Sequence, residues 1–225
     1  MTNIFQSITS GFAKERCRGM TLAELLFSIT LIMVLALLIA GGSAKLNERS
    51  KATRCCANLR ALAMASIQYA SENSLSLPAS SHQRRSGIKS WTVSLGDYLQ
   101  DRSVFRCPCD ENEGRAHSYA LNDMVTVNPP GAPSSNYSRL PAIPQPSHTI
   151  LFAEMTPGYE NSDHFHFSYF QAARRLPPAV FTAAVAHERH FGGACYAFTD
   201  GHAEWLTANE VDARLTNPDS GFVFP

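Results

Sequence analysis

The chain has 225 residues, 44% of them hydrophobic, and its 19 basic and 19 acidic side chains cancel to a formal net charge of zero. This length accommodates one anchoring segment and one globular domain of ordinary size. A neutral chain, with no basic run interleaved with aromatic residues beyond the N-terminal segment, lacks the basic face of nucleic-acid-binding proteins. We therefore expect no nucleic-acid partner.

The first long apolar segment, Met20 to Ala40, contains one charged residue, Glu24. A helix of this length spans roughly 30 Å, the thickness of the hydrocarbon core of a bilayer. A secretory signal peptide is the alternative, because Lys14, Arg16 and Arg18 precede the segment. The apolar core of such a peptide is only about 7–15 residues long, so the sequence favours a membrane-spanning helix over 20–40.

A carboxylate inside a membrane costs about 2.5–3.5 kcal/mol, so Glu24 is predicted to be functional and to have a cationic partner. Cleavage between Gly19 and Met20 would create one, a free α-amino group close to Glu24. The sequence RGMTLAELL (Arg18 to Leu26) resembles the cleavage and N-methylation motif of type IV pilins and type II secretion pseudopilins. The resemblance implies cleavage after Gly19, methylation of Met20, and pairing of Glu24 with the terminal amine of a neighbouring subunit. Methionine stands where that family more often has phenylalanine.

The same resemblance implies the partners and the location of the protein. The partners would be a prepilin peptidase and N-methyltransferase, other pilin-like subunits, and an inner-membrane assembly platform. The chain would cross the bacterial inner membrane once, with its head outside the cytoplasm, and would then enter a periplasmic or cell-surface filament. Basic residues lie on both sides of the apolar segment, so charge alone does not decide the orientation.

The resemblance implies a pilin-like α+β fold, with a long N-terminal helix packed on an antiparallel β-sheet head. Residues 1–19 would be the cleaved leader, 20–40 the transmembrane and filament-core helix, 41–74 its amphipathic continuation, and 75–225 the head. Apolar residues at three- and four-residue spacing support the continuation. The pair Gly41–Gly42 is predicted to interrupt the helix, because each glycine costs about 1 kcal/mol in a helix interior.

The head contains several predicted elements. A short helix or turn is predicted for SWTVSLGDYLQ, with Trp91, Leu95 and Leu99 directed inward. Two strands are predicted for HSYALNDMVTV and HTILFAEM, because both segments are rich in β-branched and apolar residues. Between these strands, residues 128–147 contain six prolines and are predicted to form a loop. The alternating segment HFHFSYF is predicted to be a strand with its two histidines on one face.

The segment GGACYAFTDGHAEWLT predicts a β-hairpin, because Asp200–Gly201 is typical of a two-residue type I′ turn. Counting outward from that turn pairs Tyr196 with Trp205, and this pair is expected to anchor a core face.

His190, nine further residues, and then Asp200–Gly201 resemble the H-x9-DG domain, which accompanies prepilin-type leaders in planctomycete, verrucomicrobial and lentisphaeral proteins. CANL, FRCP, SYALN and TILFAE occur in the order expected for that domain. The resemblance implies no activity. A strand between His190 and Asp200 would separate them by about 20 Å, so we expect turn and packing roles rather than a catalytic dyad.

Leader cleavage would remove Cys17 and leave five cysteines. The H-x9-DG resemblance implies a disulfide between Cys56 and Cys107. Cys55 lies on another helical face and is left to pair with Cys109 or to stay free. Connectivity cannot be derived from the sequence alone.

The sequence predicts no cofactor and no catalytic residues. CPC, HFH and HERH offer ligands for zinc, but none has the spacing of a known zinc motif, and no D-x-D-x-D-G loop for calcium is present. Zinc or calcium therefore stays an alternative to a metal-free head.

The leading hypothesis is a non-enzymatic structural subunit of a type IV pilus-like or type II secretion pseudopilus-like filament. The alternative is a membrane-tethered extracytoplasmic binding module that does not polymerise and whose loop, residues 128–147, contacts a glycan or an exported protein. An exported enzyme using the histidines is a third hypothesis, which no motif supports.

Overall fold

The computed structural model describes residues 19–81, 87–127, 137–160 and 163–225, with the backbone alone for 40–45. The chain divides into two compact units, Met1–Ala44 and Lys45–Pro225. The long helix α1 (Leu22–Glu72) begins in the first unit and ends in the second.

In the first unit, α1 is largely apolar, and its described side chains at 22–39 are exposed. The stretch Leu22–Ile39 is long and apolar enough to cross a membrane, judged by length and composition, and none of it is buried. The helix continues through Gly41 and Gly42, so the predicted interruption is wrong. The cost of two glycines is smaller than that of ending and renucleating a helix between two segments of good helix formers.

The second unit contains a five-stranded sheet in the order β3-β1-β2-β4-β5. Its strands are β1 (Tyr119–Asn122), β2 (Ile150–Glu154), β3 (His164–Phe165), β4 (Gly193–Phe198) and β5 (Ala203–Thr207). The predicted α+β class and the first two predicted strands are confirmed. The sheet is mixed rather than antiparallel, because β3 returns from β2 on the far side of β1 and so runs parallel to β1.

The sheet is covered on both faces. One buried cluster joins α1 to the sheet and to α2 (Trp91–Ser94), with Leu59 and Leu62 of α1 near Trp91 and Phe152. The other cluster joins the sheet to α3 (Pro178–Ala184), α4 (Ala208–Thr216) and the C-terminal Phe222. The predicted inward positions of Trp91 and Leu95 are confirmed, and both side chains are fully buried.

The segment HFHFSYF is a strand only at its start. β3 ends at Phe165, and a 3-10 helix follows over Phe167–Ala173. The Asp123 carboxylate accepts hydrogen bonds from the backbone N–H groups of Phe167 and Ser168, which stabilises the start of that helix. The alternation therefore fails beyond β3, and Tyr169 is 82% exposed.

The β4–β5 hairpin has a three-residue loop rather than the predicted two-residue turn. Gly201 N–H donates to Phe198 C=O, Phe198 N–H donates to His202 C=O, and Gly201 has φ +95°. This is a type I turn followed by a left-handed residue. The extra residue shifts the register, so Trp205 pairs with Cys195 and Tyr196 pairs with Glu204. A shift of one residue moves Trp205 to the opposite face, and the predicted Tyr196–Trp205 pair does not form.

The predicted proline-rich loop lies partly outside the described residues, which resume at residue 137. Its described end contains a 3-10 turn, Leu140–Ala142. Leu77 N–H donates to Ser138 C=O and Leu140 N–H donates to Leu75 C=O, which ties this end to the segment after α1.

Replacing Gly193 with alanine tests the packing at the start of β4. A Cβ atom there would lie 2.3 Å from the backbone oxygen of Leu206 and 2.6 Å from the Trp205 ring. We expect the free energy of unfolding to fall by roughly 2–3 kcal/mol, measured by denaturant titration of the full-length protein in detergent. Gly158→Ala is the control, because no atom lies within 4 Å of its added Cβ, and it should change stability by less than about 0.5 kcal/mol. Equal effects of the two substitutions would contradict this packing.

Candidate functional site

The predicted cleavage position lies at the exposed start of α1. No atom lies within 4 Å of a Cβ added at Gly19, and Met20 is 65% exposed. The Glu24 carboxylate accepts hydrogen bonds from both the backbone N–H and the hydroxyl of Thr21, each 2.8 Å long, and the Thr21 hydroxyl accepts one from Glu24 N–H. Thr21 and Glu24 therefore form a capping box, which satisfies the first N–H groups of the helix.

His190 is held by a tight turn that leads into β4. Its backbone N–H and C=O both bond to Gly193, at 2.8 and 3.2 Å, while Phe191 and Gly192 between them have φ values of +57° and +72°. The Trp205 indole N–H donates to the His190 backbone oxygen at 3.0 Å. These contacts fix the backbone of His190 and leave its ring to point into the head.

The His190 ring meets a fully buried carboxylate. Its Nε2 lies 2.9 Å from Glu154 Oε1, and the side chains are 1% and 0% exposed. The other oxygen of Glu154 accepts a 2.9 Å hydrogen bond from Arg189, which also donates to the Met155 backbone oxygen. A buried carboxylate requires such partners, because an unpaired charge in the interior is strongly destabilising.

The charged network extends from Arg189 to the surface loop after Cys107. Arg189 lies 3.7 Å from Asp110, whose other oxygen lies 3.7 Å from Arg115. Asp110 Oδ2 and Arg115 Nη1 are buried without a hydrogen-bond partner. Burial lowers the pKa of Arg115, and the neighbouring Asp110 opposes this shift.

The cysteines pair differently from the sequence prediction. Cys107 bonds to Cys55 rather than to Cys56, and Cys56 bonds to Cys195 of β4, with Cα–Cα distances of 5.2 and 5.3 Å. Consecutive residues of a helix point about 100° apart, so the two neighbours reach different partners. Cys109 is the free cysteine of the described chain, and burial, followed by the charge of Glu48, raises its pKa.

Four of these side chains form a buried cluster that could hold a metal ion. The ligand atoms of Cys55, Cys107, Glu154 and His190 all lie within 4.8 Å of one another. The sequence fragments HFH, CPC and HERH are the candidate zinc ligands, and no single fragment supplies all four side chains of this cluster. CPC contributes Cys107 alone, and HERH contributes His190 alone.

Asp200 and Gly201 lie at the other end of β4 from His190, as the sequence predicts. Asp200 accepts a hydrogen bond from the backbone N–H of His202 within the turn. A Cβ added at Gly201 would lie 2.6 Å from Ile67 and 2.9 Å from Met64, so the turn packs closely on α1. The two halves of the H-x9-DG pattern therefore have separate roles: His190 belongs to the charged network, and Asp200–Gly201 forms the turn.

An open cleft of about 650 Å³ lies beside the charged network. Its walls include Lys51, Cys109, Asp110, His187 and Arg189. Asp110 and Arg189 line the cleft, but their side chains are only 0% and 7% exposed, so the network stays buried beneath its wall.

Sequence reasoning missed the roles of Glu154, Arg189 and Asp110. One signal was present: Glu154 ends the apolar strand ILFAE, where an acid is out of place unless it is paired. Its partners lie 35 and 36 positions further along the chain, and no local pattern connects them.

The comparisons with known proteins identify the N-terminal segment. Residues 14–40 match the prokaryotic N-terminal methylation motif, which supports a prepilin-processed, pilin-like protein. Members of this motif family are structural subunits rather than enzymes. The motif and the apolar helix are consistent with a single-pass inner-membrane anchor. No curated protein and no solved structure matches the chain, and the resemblance of the head to the H-x9-DG domain stays a prediction.

The disulfide pairing can be tested with the double variant Cys56→Ser/Cys195→Ser. We expect Cys107 to remain linked to Cys55, because that bond does not involve the substituted residues. Non-reducing peptide mapping would detect the linked peptides, with Cys109 alkylated as the free thiol. The pairing implied by the family resemblance would instead leave Cys107 without a partner in this variant.

Replacing Arg189 with methionine tests the buried ion pair. We expect a loss of about 3–5 kcal/mol of unfolding free energy, measured by denaturant titration, because the Glu154 carboxyl would stay buried without its cationic partner. The double variant Arg189→Met/Glu154→Gln should lose less, since the carboxylate charge is removed. Lys51→Met is the control: its 3.7 Å ion pair with Glu48 is exposed and should be worth less than about 1 kcal/mol. A loss in Arg189→Met no larger than in this control would contradict a strongly coupled buried pair.

Proposed function

We propose that this protein is a structural subunit of a type IV pilus-like or type II secretion pseudopilus-like filament. The observation that carries the proposal is the methylation motif at residues 14–40, placed directly before a helix whose apolar side chains at 22–39 are unburied. An apolar surface of this size needs a cover, either lipid or the same helix of neighbouring subunits.

Processing would divide the chain as the motif requires. A prepilin peptidase would cut after Gly19, and Met20 would become the methylated N-terminus. Residues 1–19 are then the leader, 20–40 the membrane and filament-core helix, 41–74 its continuation, and 75–225 the head. The peptidase, other pilin-like subunits and an inner-membrane assembly platform are the proposed partners.

Glu24 would fix the register between subunits. Its carboxylate is already held by Thr21, so its position at the start of the helix is set before assembly. The terminal amine of a neighbouring subunit would complete the pair in a dry environment, where opposite charges attract strongly. Such a buried pair contributes more to specificity than to stability.

The head would lie outside the cytoplasm, first beside the inner membrane and later on a periplasmic or cell-surface filament. Two disulfides support this location, because disulfides persist in oxidising compartments.

Glu24 variants test this function in the native host. We expect Glu24→Val and Glu24→Gln to insert and to be cleaved to a methylated Met20, as measured by mass spectrometry, but not to assemble, because neither carries the negative charge. Ser28→Ala is the matched control: it removes a hydroxyl that donates to the Glu24 backbone oxygen and keeps the carboxylate and its capping box, so it should assemble.

Assembly can be measured by crosslinking through Ile32→Cys in a Cys109→Ser background. Ladders of crosslinked chains are expected from the parent and from Ser28→Ala, and monomers from the Glu24 variants. Monomers from the parent as well would favour the non-polymerising, membrane-tethered binding module. Normal ladders from Glu24→Gln would exclude the proposed charge pairing.

A further inference from the structure

We propose that Cys55, Cys107, Glu154 and His190 form a zinc site when the two cysteines are reduced, and that zinc and the Cys55–Cys107 disulfide are alternative states of this site. The four ligand atoms lie within 4.8 Å of one another, and all four residues are buried. They come from α1, the loop between α2 and β1, β2 and the turn before β4, so the fold assembles the set from distant segments.

The distances suit a tetrahedral ion. Zinc binds sulfur at about 2.3 Å and nitrogen at about 2.0–2.1 Å, which places tetrahedral sulfur and nitrogen ligands roughly 3.6 Å apart. Cys107 Sγ lies 3.6 Å from His190 Nε2. The same nitrogen lies 2.9 Å from Glu154 Oε1. Tetrahedral nitrogen and oxygen ligands of zinc lie roughly 3.3 Å apart, so these two side chains would separate by a few tenths of an ångström to admit the ion.

The charges also balance. Two thiolates and the Glu154 carboxylate would bring three negative charges into the interior, and Zn²⁺ with Arg189 would neutralise them. Arg189 occupies Oε2 of Glu154 and leaves Oε1 directed toward His190. An arginine that holds the second oxygen of a carboxylate ligand orients that ligand, as polar partners do in known metal sites.

The ligand types select the metal. Two sulfur atoms and an imidazole suit zinc, whereas calcium and magnesium require oxygen ligands. All four positions are taken by side chains, which is the arrangement of a structural rather than a catalytic zinc site. The ion would tie α1 to β2 and to the His190 turn, whereas the disulfide ties α1 to the Cys107 loop alone.

The two states interconvert by a balanced reaction. A dithiol reductant gives the Cys55–Cys107 bond two electrons and two protons and becomes a disulfide. A phosphine instead gives two electrons and becomes a phosphine oxide, with water supplying the oxygen and the two protons of the new thiols. Zinc then displaces those two protons as it binds. In the reverse direction a disulfide oxidant takes two electrons from the thiolates and two protons from water, and is reduced to two thiols as the protein disulfide forms and the zinc leaves. A newly made chain has reduced cysteines and can bind zinc before oxidation.

The test uses the full-length protein in detergent micelles, reduced anaerobically with a phosphine and then freed of reductant, with Co²⁺ as the spectroscopic probe. We expect a thiolate-to-cobalt charge-transfer band and the intense visible bands of tetrahedral cobalt, saturating at one ion per chain and abolished by one equivalent of Zn²⁺. The oxidised protein should show neither band.

Matched variants locate the ion. His190→Gln and Cys55→Ser/Cys107→Ser should lose the tetrahedral spectrum, with at least a hundredfold weaker binding. His187→Gln, within the same tetrapeptide HERH, and Cys56→Ser/Cys195→Ser should keep it. Far-UV circular dichroism checks that each variant is folded.

Two results from the wild-type protein can overturn the proposal even where a variant fails to fold, and the folded variants supply a third. The proposal is wrong if the reduced protein shows no thiolate band. It is also wrong if the oxidised protein binds cobalt with the same spectrum, or if Cys56→Ser/Cys195→Ser abolishes the spectrum in a folded chain while Cys55→Ser/Cys107→Ser retains it.

Discussion

The head is organised around one buried carboxylate, that of Glu154 at the end of β2. A charge with no solvent contact requires a cation and a hydrogen-bonding partner, and Arg189 and His190 supply them from a single turn. That turn leads directly into β4, and the Trp205 side chain of β5 holds its backbone. The pairing of one acid therefore positions the turn and the beginning of the hairpin.

The second constraint is the attachment of α1 to the sheet. Two adjacent cysteines of the helix point to different partners, so one helical turn is tied both to the Cys107 loop and to β4. The Gly201 turn contacts the same helix further along, where a larger residue would overlap Ile67. Disulfides and close packing thus hold β4 against the helix from both of its ends, while the charged network lies beside the disulfide-bonded end.

The N-terminal segment differs from the head because its apolar residues are not part of a buried core. Its apolar side chains at 22–39 are unburied, and an apolar surface of this size needs a cover. The capping box explains how a carboxylate can lie at the start of such a segment: Thr21 satisfies it within the chain. The same bonds hold the Glu24 carboxylate in place, so one side chain caps the helix and is also positioned for its proposed role in assembly.

The sequence by itself determined the features that depend on neighbours along the chain: the motif around Gly19, the apolar helix, the strands β1 and β2, and the turn at Asp200–Gly201. Only the tertiary structure decided the hairpin register, the choice between Cys55 and Cys56, and the partners of Glu154. One additional residue in the hairpin loop moves every side chain of the following strand to the opposite face of the sheet. The amino-acid pattern of the turn does not show whether the loop has two residues or three. Adjacent cysteines are equivalent in sequence, and the partners of Glu154 are remote in it. The register, the cysteine pairing and the partners of Glu154 depend on packing between segments that are distant in the sequence. A pattern of neighbouring residues does not report the energy of that packing.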